Sequence, residues 1–89
     1  MSERVCAVVV TYNRKELLRE CLETLRGQTR KVDHILVVDN ASTDGTEEVL
    51  RAEFPEVEVL RLPENQGSSG GFHEGMKRAY EEGFDWLWL

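Results

Sequence analysis

Three short polar segments of this sequence carry side chains that could bind a ligand. They are "TYNR" (11–14), "DNAST" (39–43) and "ENQGSSGG" (64–71). Their hydroxyl, amide and carboxylate groups form hydrogen bonds, and almost none of their side chains is suited to a hydrophobic core. A chain places such groups after an apolar run either to make a turn or to bind something.

Asp39 stands at the end of the apolar run "ILVV". In the structural interpretation it opens a turn, as Asp often does at the end of a strand. In the functional interpretation its carboxylate accepts hydrogen bonds from a nucleobase N–H or a ribose hydroxyl. Asn40 and Ser42 are already suited to forming a turn, and Asp44 with Gly45 predicts a tight turn into a helix. The Asp39 side chain is therefore not needed for the turn. The residues alone leave both interpretations open.

The third segment opens a glycine-rich stretch, "ENQGSSGGFHEG" (64–75), with four glycines in twelve residues. Glycine allows a ligand to approach the backbone closely, and a helix N-terminus offers free amides to phosphate. The alternative is a flexible surface loop. The spacing fits neither the G-x-G-x-x-G fingerprint nor the P-loop, which requires G-K-[ST]. By spacing alone, this stretch indicates phosphate binding only weakly.

The hydrophobic pattern predicts that strands and helices alternate beneath these segments. Strands are predicted at 5–10, 35–38, 57–62 and 84–89, and helices at about Lys15–Arg26, Thr46–Glu53 and Gly71–Glu82. The first two strands are near-continuous apolar runs, typical of strands covered on both faces. The third is less apolar and is predicted to be an edge strand.

The helices show apolar stripes and end signals. Asn13 and Glu16 have capping-box spacing for the first helix. The predicted inward faces consist of Leu17, Leu18, Cys21, Leu22 and Leu25 in the first helix, Val49 and Leu50 in the second, and Phe72, Gly75, Met76, Ala79 and Tyr80 in the third.

Strands connected through helices imply right-handed crossovers and a parallel sheet, so the predicted fold class is α/β. In an open parallel sheet, ligands bind outside the carboxyl ends of the strands, where the strand order reverses. All three polar segments follow predicted strands. We therefore expect Thr11, Asp39 and Asn65 to lie along one edge of the sheet.

The composition is that of one small globular domain: 89 residues, 40% hydrophobic and 31% charged. The net charge of −6 argues against nonspecific attraction to nucleic acid or anionic lipid. Cys6 and Cys21 are predicted to be reduced thiols. The sequence contains no signal peptide and no run of about 20 apolar residues that would span a membrane. A cytoplasmic location is expected, with peripheral attachment to the inner face of the membrane left open.

Other reactive side chains give weaker indications. His34 and His73 are far apart and lack Cys or carboxylate partners at metal-ligand spacing, so a surface or loop role is favoured. No Ser-His-Asp or Cys-His arrangement is recognisable. The sequence ends on the bulky apolar run "FDWLWL" (84–89), which predicts that the chain is the front part of a larger domain.

In order and spacing, "VVVTYNR", "ILVVDNASTDGT", "ENQGSSGGFHEG" and "DWLWL" resemble the nucleotide-binding half of family 2 glycosyltransferases. The version "NQGSSGGF" is similar to bacterial rhamnosyl- and galactofuranosyl-transferases. The resemblance implies a GT-A fold, a Rossmann-like three-layer α/β sandwich with a mainly parallel sheet. Residues 1–89 would form a single partial domain, the donor-nucleotide-binding half. The implied enzyme is inverting and transfers a sugar from a UDP- or dTDP-linked donor to a carbohydrate or lipid-linked acceptor.

The resemblance also implies which residues bind the donor. They are Thr11, Tyr12, Asn13, Arg14, Asp39, Asn40, Asn65, Gly70 and Gly71. The first four would line the nucleotide pocket, and Asp39 would contact the uracil or ribose with Asn40 beside it. The last three would face the nucleotide and diphosphate.

In such enzymes, an acidic motif holds Mg²⁺ or Mn²⁺ against the diphosphate, and a base deprotonates the acceptor hydroxyl. The strand similar to "DWLWL" leads into that acidic motif, and the base lies further on. Neither group is among these 89 residues, so no catalytic or metal-ligating residue is assigned. The metal neutralises the leaving diphosphate and the base activates the attacking oxygen. The chain alone is therefore expected to bind nucleotide weakly, without turnover.

Two alternatives remain open. The chain could be a noncatalytic fragment whose apolar terminal strand pairs with a second copy, because an exposed strand edge invites self-association. A nucleotidyltransferase shares the sheet and the glycine-rich approach to phosphates. It usually has a glycine-rich basic loop after the first strand, however, and "TYNRKE" is not one.

Overall fold

Strands and helices alternate along the chain, as the hydrophobic pattern predicts. The structure, a computed structural model, describes residues 4–28 and 32–88. The strands are β1 (Val5–Thr11), β2 (His34–Asp39), β3 (Glu58–Arg61) and β4 (Trp86–Trp88), and the helices are α1 (Lys15–Arg26), α2 (Thr46–Glu53) and α3 (Gly67–Glu81). The bounds of α1 and α2 agree with the predicted ones. Leu89, predicted to end the fourth strand, lies outside the described residues.

The strands form one parallel sheet in the order β3-β2-β1-β4. The chain adds β2 and β3 on one side of β1 and then crosses to place β4 on the other side. The strand order therefore reverses between β1 and β4. β3 is an edge strand, as predicted.

Helices cover both faces of the sheet, because right-handed crossovers in opposite directions lie on opposite faces. Leu36 and Val38 of β2 pack in a cluster with Ala79 of α3. Val37, between them, packs instead with Leu18 of α1 and the apolar residues of α2. Alternate residues of β2 are thus buried on both faces, which confirms the three-layer, Rossmann-like α/β prediction.

Helix α3 begins at Gly67, not at Gly71 as predicted. Glycine and serine are weak helix formers, which is why the pattern placed the start later. Packing overrides this preference: a Cβ on Gly71 would lie 2.7 Å from Val10 Cγ1, and one on Gly75 would lie 2.6 Å from Val8 Cγ1. These glycines let the helix approach the sheet more closely than any larger residue would allow.

Four further predictions about the helices are wrong. Asn13 does not cap α1, because its side chain binds another loop and Arg14 occupies the N-cap position. Leu17 on α1 is 56% exposed, and Tyr80 on α3 is 82% exposed. Met76 also remains partly exposed on α3. In both helices the buried stripe is therefore narrower than the apolar pattern suggests.

Cys6 is buried and Cys21 half-buried, and both are free thiols, as predicted. Burial, followed by the nearby charges of Glu58 and Glu82, raises the pKa of Cys6 to about 11. Within the described ranges, none of the helices has the length and hydrophobicity needed to cross a membrane.

Candidate functional site

Three neighbouring strands end on polar residues that lie in one row. Thr11 of β1 is the register partner of Asp39 of β2, which is in turn the partner of Arg61 of β3. Thr11 and Asp39 are both buried. This row marks the carboxyl edge of the sheet, where ligands of open parallel sheets bind.

Asp39 is completely buried, and both of its carboxylate oxygens have partners. Oδ1 accepts a hydrogen bond from Ser42 N at 2.9 Å, and Oδ2 lies 2.9 Å from Arg61 Nη1. The prediction that Asp39 is spare from turn formation is wrong, because its own side chain closes the 39–42 turn. Its contact with a ligand stays a prediction.

Asn13 ties the first polar segment to the second. Its backbone N–H donates to Ser42 Oγ at 2.9 Å, and its Oδ1 accepts from Thr43 N at 2.7 Å. The residue has φ of 50°, in the left-handed region that Asn tolerates better than most side chains. The left-handed turn directs the chain from β1 into α1 and places Tyr12 and Arg14 on either side of it.

Asp44 holds the starts of two helices together. Its Oδ2 accepts from Lys15 N, the first residue of α1, at 3.1 Å, and its Oδ1 accepts from both N and Oγ1 of Thr46, the first residue of α2. The hydroxyl of Thr46, followed by these backbone amides, lowers the pKa of Asp44 below its usual 3.8 despite some loss of hydration. The predicted turn into α2 is present, but its N-cap position is Gly45, so Asp44 binds the first residue of each helix from outside the cap position.

Asn40 ties the second segment to the third. The residue is buried, its Oδ1 accepts from Gln66 N at 2.9 Å, and its Nδ2 donates to Gly67 O at 3.0 Å. Asn65 adds a local bond, because its Oδ1 accepts from Gly67 N at 2.8 Å. The start of α3 is thus anchored to the end of β2, which also explains a helix that begins among weak helix formers.

A pocket of about 410 Å³ opens at this edge, beside β1 and at the reversal of strand order. It is lined by Val9, Val10, Thr11, Tyr12, Arg14, Leu17, Leu18, Cys21, Asn40, Asn65, Gly67 and Ser68.

Five of the nine predicted binding residues line this pocket: Thr11, Tyr12, Arg14, Asn40 and Asn65. The other four, Asn13, Asp39, Gly70 and Gly71, do not. Asn13 and Asp39 form the supporting network beneath the loops. Gly71 is buried against β1, and a Cβ on Gly70 would meet the side chain of Gln66.

Sequence reasoning missed several members of the site. Leu17 was assigned to the core and instead forms part of the pocket wall. Ser68 was expected in a loop and lies in the first turn of α3. Arg61 was assigned no role; it lies next to last in the predicted strand 57–62, and a charged residue so near a strand end was a signal that could have found it.

The charge around the pocket favours an anionic ligand. The lining contains one basic residue, the exposed Arg14, and no carboxylate among the residues that the structure describes. The first turn of α3 carries no acidic residue, and Gly67 and Ser68 bring the positive dipole end of this helix to the pocket wall without a competing carboxylate. A protein with net charge −6 thus has a local site suited to phosphate.

The same lining does not fit a divalent metal. Mg²⁺ and Mn²⁺ prefer several oxygen ligands with carboxylates among them. The described lining offers only hydroxyl, amide and backbone oxygens. No chemical step at this pocket is therefore assigned to a metal held by these residues.

A second polar cluster lies at the opposite, amino edge of the sheet, contrary to the prediction that His34 has no carboxylate partner. His34 Nε2 lies 2.7 Å from Glu58 Oε1, and Arg78 Nη1 lies 2.7 Å from Glu58 Oε2. Glu82 completes a group of ligand-type atoms with His34 and Glu58, all within 4.8 Å of one another. The His34 ring stacks on Phe84 with centroids 5.2 Å apart.

The pKa values of the two carboxyl groups in this cluster are shifted in opposite directions. Burial opposes ionisation of Glu58, but hydrogen bonds from His34 and Arg78 outweigh it and lower its pKa below the usual 4.5. Loss of hydration and the neighbouring Glu58 raise the pKa of Glu82 above 4.5. His34 and Glu58 are the first residues of β2 and β3, so this cluster lies at the far end of the sheet from the pocket.

A wider groove of about 510 Å³ flanks the outer side of β3. It is lined by Glu47, Leu50, Arg51, Phe54, Pro55, Val57, Val59 and Arg61. Its charged groups already pair with one another, as Arg51 does with Glu47 at 2.9 Å. It also lies away from the reversal of strand order, so the pocket beside β1 is the better candidate site.

A parallel three-layer sheet with a polar pocket at its point of reversal defines the class of α/β proteins that bind nucleotides and similar ligands there. Residues 6–89 match the profile of "Glycosyl transferase family 2", so the chain belongs to this family. The family match favours a glycosyltransferase over a nucleotidyltransferase.

Curated relatives resemble the chain along most of its length. The chain is 42% identical over 88 residues to galactofuranosyltransferase GlfT1 of Mycolicibacterium smegmatis, covering 99% of the chain and 29% of the relative. It is 38% identical over 87 residues to undecaprenyl-phosphate mannosyltransferase of Micrococcus luteus, covering 94% and 35%. The chain thus spans about a third of the length of these relatives.

A solved structure has the same fold. The mannosyltransferase PcManGT from Pyrobaculum calidifontis, in complex with GDP-Man and Mn²⁺, superposes with a TM-score of 0.72 at 29% identity. The match covers 89% of the chain and 25% of that protein. That enzyme holds a nucleotide sugar and a divalent cation, which agrees with the expected requirement for a divalent metal in the longer enzyme.

Proposed function

We propose that residues 1–89 form the donor-nucleotide-binding half of an inverting glycosyltransferase. The longer enzyme would transfer a sugar from a UDP- or dTDP-linked donor to a carbohydrate or lipid-linked acceptor. The observation that carries this proposal is the pocket at the reversal of strand order, with Thr11, Tyr12, Arg14, Asn40 and Asn65 in its lining. The named activities of the relatives support it.

The pocket has two ends that suit the two parts of a nucleotide. Tyr12 is 44% exposed at the rim, where its ring can stack on a base. Arg14 and the positive dipole end of α3 would supply positive charge for the diphosphate. The hydroxyl of Thr11 and the amide of Asn65, both in the lining, would bind the sugar hydroxyls of the nucleoside.

Asp39 remains a proposed nucleotide-binding residue on one condition. Its carboxylate is covered by the turn that Ser42 closes. Direct contact with the uracil or ribose therefore requires residues 40–43 to move when the nucleotide binds. Without that movement, Asp39 contributes by holding the turn.

Transfer itself needs groups beyond this lining. Mg²⁺ or Mn²⁺ bound by the longer enzyme would supply charge that stabilises the leaving diphosphate. A base elsewhere in that enzyme would take the proton from the acceptor hydroxyl. The described residues bind and orient the donor nucleotide, and we expect weak binding and no turnover from them alone.

Calorimetric titration with UDP, dTDP and GDP tests the proposal and identifies the nucleobase that the site prefers. We expect heat from UDP or dTDP with the unaltered chain. Tyr12→Ala should weaken binding by roughly 5- to 150-fold, the usual value of one base–aromatic stack. Tyr80→Ala is the matched control, since Tyr80 is an exposed tyrosine on the outer side of α3. No heat from any nucleotide, or equal losses from the two variants, would contradict the proposal.

A second candidate is a noncatalytic fragment that self-associates through β4. It is favoured by one observation: β4 lies at the end of the described sheet, paired only with Val5–Ala7 of β1. Light scattering over a range of concentrations tests it, and a monomer at every concentration would exclude it. A cytoplasmic location stays a prediction from the sequence.

A further inference from the structure

Arg61, the last residue of β3, connects the edge strand to the turn beneath the pocket. Its Nη1 donates to Asp39 Oδ2 at 2.9 Å and its Nη2 donates to Ser42 O at 3.1 Å. One guanidinium thus holds both the side chain that starts the turn and the carbonyl that ends it. Arg61 lies outside the pocket lining and does not reach a ligand there.

The buried charge of Asp39 makes this contact necessary. A carboxylate with no exposure to water needs an opposite charge or several hydrogen bonds to offset its lost hydration. Within the described part of the chain, Arg61 is the cation within ion-pair distance of Asp39. Lysine could supply the charge, but its single ammonium lacks the planar fork that binds two acceptors at fixed spacing.

The 39–43 turn, which Arg61 holds, also fixes the segment around Asn13 on the pocket rim. Ser42 Oγ accepts from Asn13 N, and Thr43 N donates to Asn13 Oδ1. Asn13 is held in a left-handed conformation by these two bonds. Its neighbours Tyr12 and Arg14 line the pocket, so their placement depends on the position of the turn.

We propose that Arg61 is a positioning residue for the nucleotide site. It fixes the 39–43 turn and, through Asn13, the orientation of Tyr12 and Arg14, without touching the nucleotide. Its effect on affinity rests on the function proposed above. Its effect on the two loops does not, because the contacts exist without nucleotide.

The test compares Arg61→Met and Arg61→Lys with a matched arginine variant, Arg51→Met. Arg51 is an exposed arginine of α2 that pairs with Glu47, which also lies 3.7 Å from Arg61. Amide spectra of the nucleotide-free chain report the loops, and UDP titration reports the site. We expect Arg61→Met to shift the amides of Asn13 and Thr43. It should also weaken UDP binding about tenfold, because Tyr12 and Arg14 are no longer held in place, an effect of the size expected for indirect coupling. Arg61→Lys should recover part of the affinity, and Arg51→Met should change neither readout.

Each possible result supports or overturns the positioning role of Arg61. If Arg61→Met does not fold, Arg61→Lys provides both readouts, and the double variant Asp39→Asn with Arg61→Met, which leaves no orphan charge, provides the amide readout. Unshifted Asn13 and Thr43 amides with unchanged UDP affinity in a folded Arg61 variant would overturn the proposal. If the unaltered chain binds no UDP, the proposed function fails, while the amide shifts still decide the positioning role.

Discussion

The two edges of the sheet both carry polar and charged side chains, but these are used in different ways. At the carboxyl edge, Asp39 and Asn40 are fully buried and bind backbone groups of the surrounding loops. At the amino edge, His34, Glu58 and Arg78 are partly exposed and bind one another. The first arrangement fixes loops around an open pocket, and the second joins two strands to a helix.

Burial decides how much each arrangement contributes. Removing one partner from a buried pair leaves an uncompensated group, whereas a half-exposed ion pair exchanges its partner for water at little cost. The carboxyl edge should therefore be sensitive to single substitutions and the amino edge tolerant. That contrast is what a preformed binding site requires, because its loops must hold their conformation before the ligand arrives.

The largest effect is expected from Arg61→Ala, compared with Arg78→Ala at the other edge. Arg61→Ala leaves the buried charge of Asp39 without a counter-ion and should lower the free energy of unfolding by about 3 kcal/mol. Arg78→Ala breaks a partly exposed pair with Glu58 and should cost less than about 1 kcal/mol. Urea denaturation measures both values, and equal losses would remove the contrast between the edges.

Gly71→Ala should have the next largest effect, and Gly83→Ala is its control. A Cβ on Gly71 would lie 2.7 Å from Val10 and 3.4 Å from Asn40 Nδ2, so α3 must move away from the carboxyl edge. Such overpacking costs about 1–3 kcal/mol and should weaken UDP binding. Gly83 has φ of 83° with nothing nearby, so its substitution should cost about 1 kcal/mol of backbone strain and leave binding unchanged. If Gly71→Ala stabilised the chain, as helix propensity alone predicts, the close approach of Gly71 to Val10 would be contradicted.

Asp44→Ala should lower the free energy of unfolding by about 1 kcal/mol at pH 7, because two helix starts lose their acceptor. The pKa of Asp44 is depressed in the folded chain, so this contribution is present above its usual value of 3.8 and is lost as the pH falls below it. Thermal unfolding of the unaltered chain and the variant at pH 7 and pH 3 measures the effect. A difference as large at pH 3 as at pH 7 would argue against stabilisation of the helix starts by the ionised carboxylate.

The smallest effect is expected from Glu82→Gln at the amino edge. The pKa of Glu82 is raised in the folded chain, so its ionised form is less favourable there than in the unfolded chain. Glutamine should therefore stabilise the chain by a few tenths of a kcal/mol at pH 7, about the size of surface changes in general, and give no gain below pH 4.5. Glu81→Gln, one residue earlier, is the control. If Glu82→Gln destabilised the chain at pH 7 and Glu81→Gln did not, the ionised form of Glu82 would be stabilising, contrary to this prediction.

Much of the fold could be predicted from the sequence because its signals are local. The apolar runs ending at Val10 and Val38 predict buried parallel strands, and the helical stripes gave both bounds of α1 and α2. The start of α3 could not be predicted, because Gly67 is held at the helix start by Asn40 and the helix packs closely against β1 only further along, at Gly71 and Gly75.

The site was predictable in location and less so in detail. Polar segments after parallel strands must meet at one edge, which placed Thr11 and Asn65 at the pocket. The partners of Asp39 were not predictable, because Arg61 lies on another strand and the pattern gives no pairing of strands. For the same reason the sequence could not show that His34 and Glu58 meet.

The most direct test of the account is a map of amide chemical shifts of the labelled chain during titration with UDP. The account predicts that shifts concentrate at residues 11–14 and 65–68, on the carboxyl edge, while His34 and Glu58 on the amino edge stay unchanged. Shifts concentrated at His34 and Glu58, or none at 11–14 and 65–68 under saturating UDP, would contradict it.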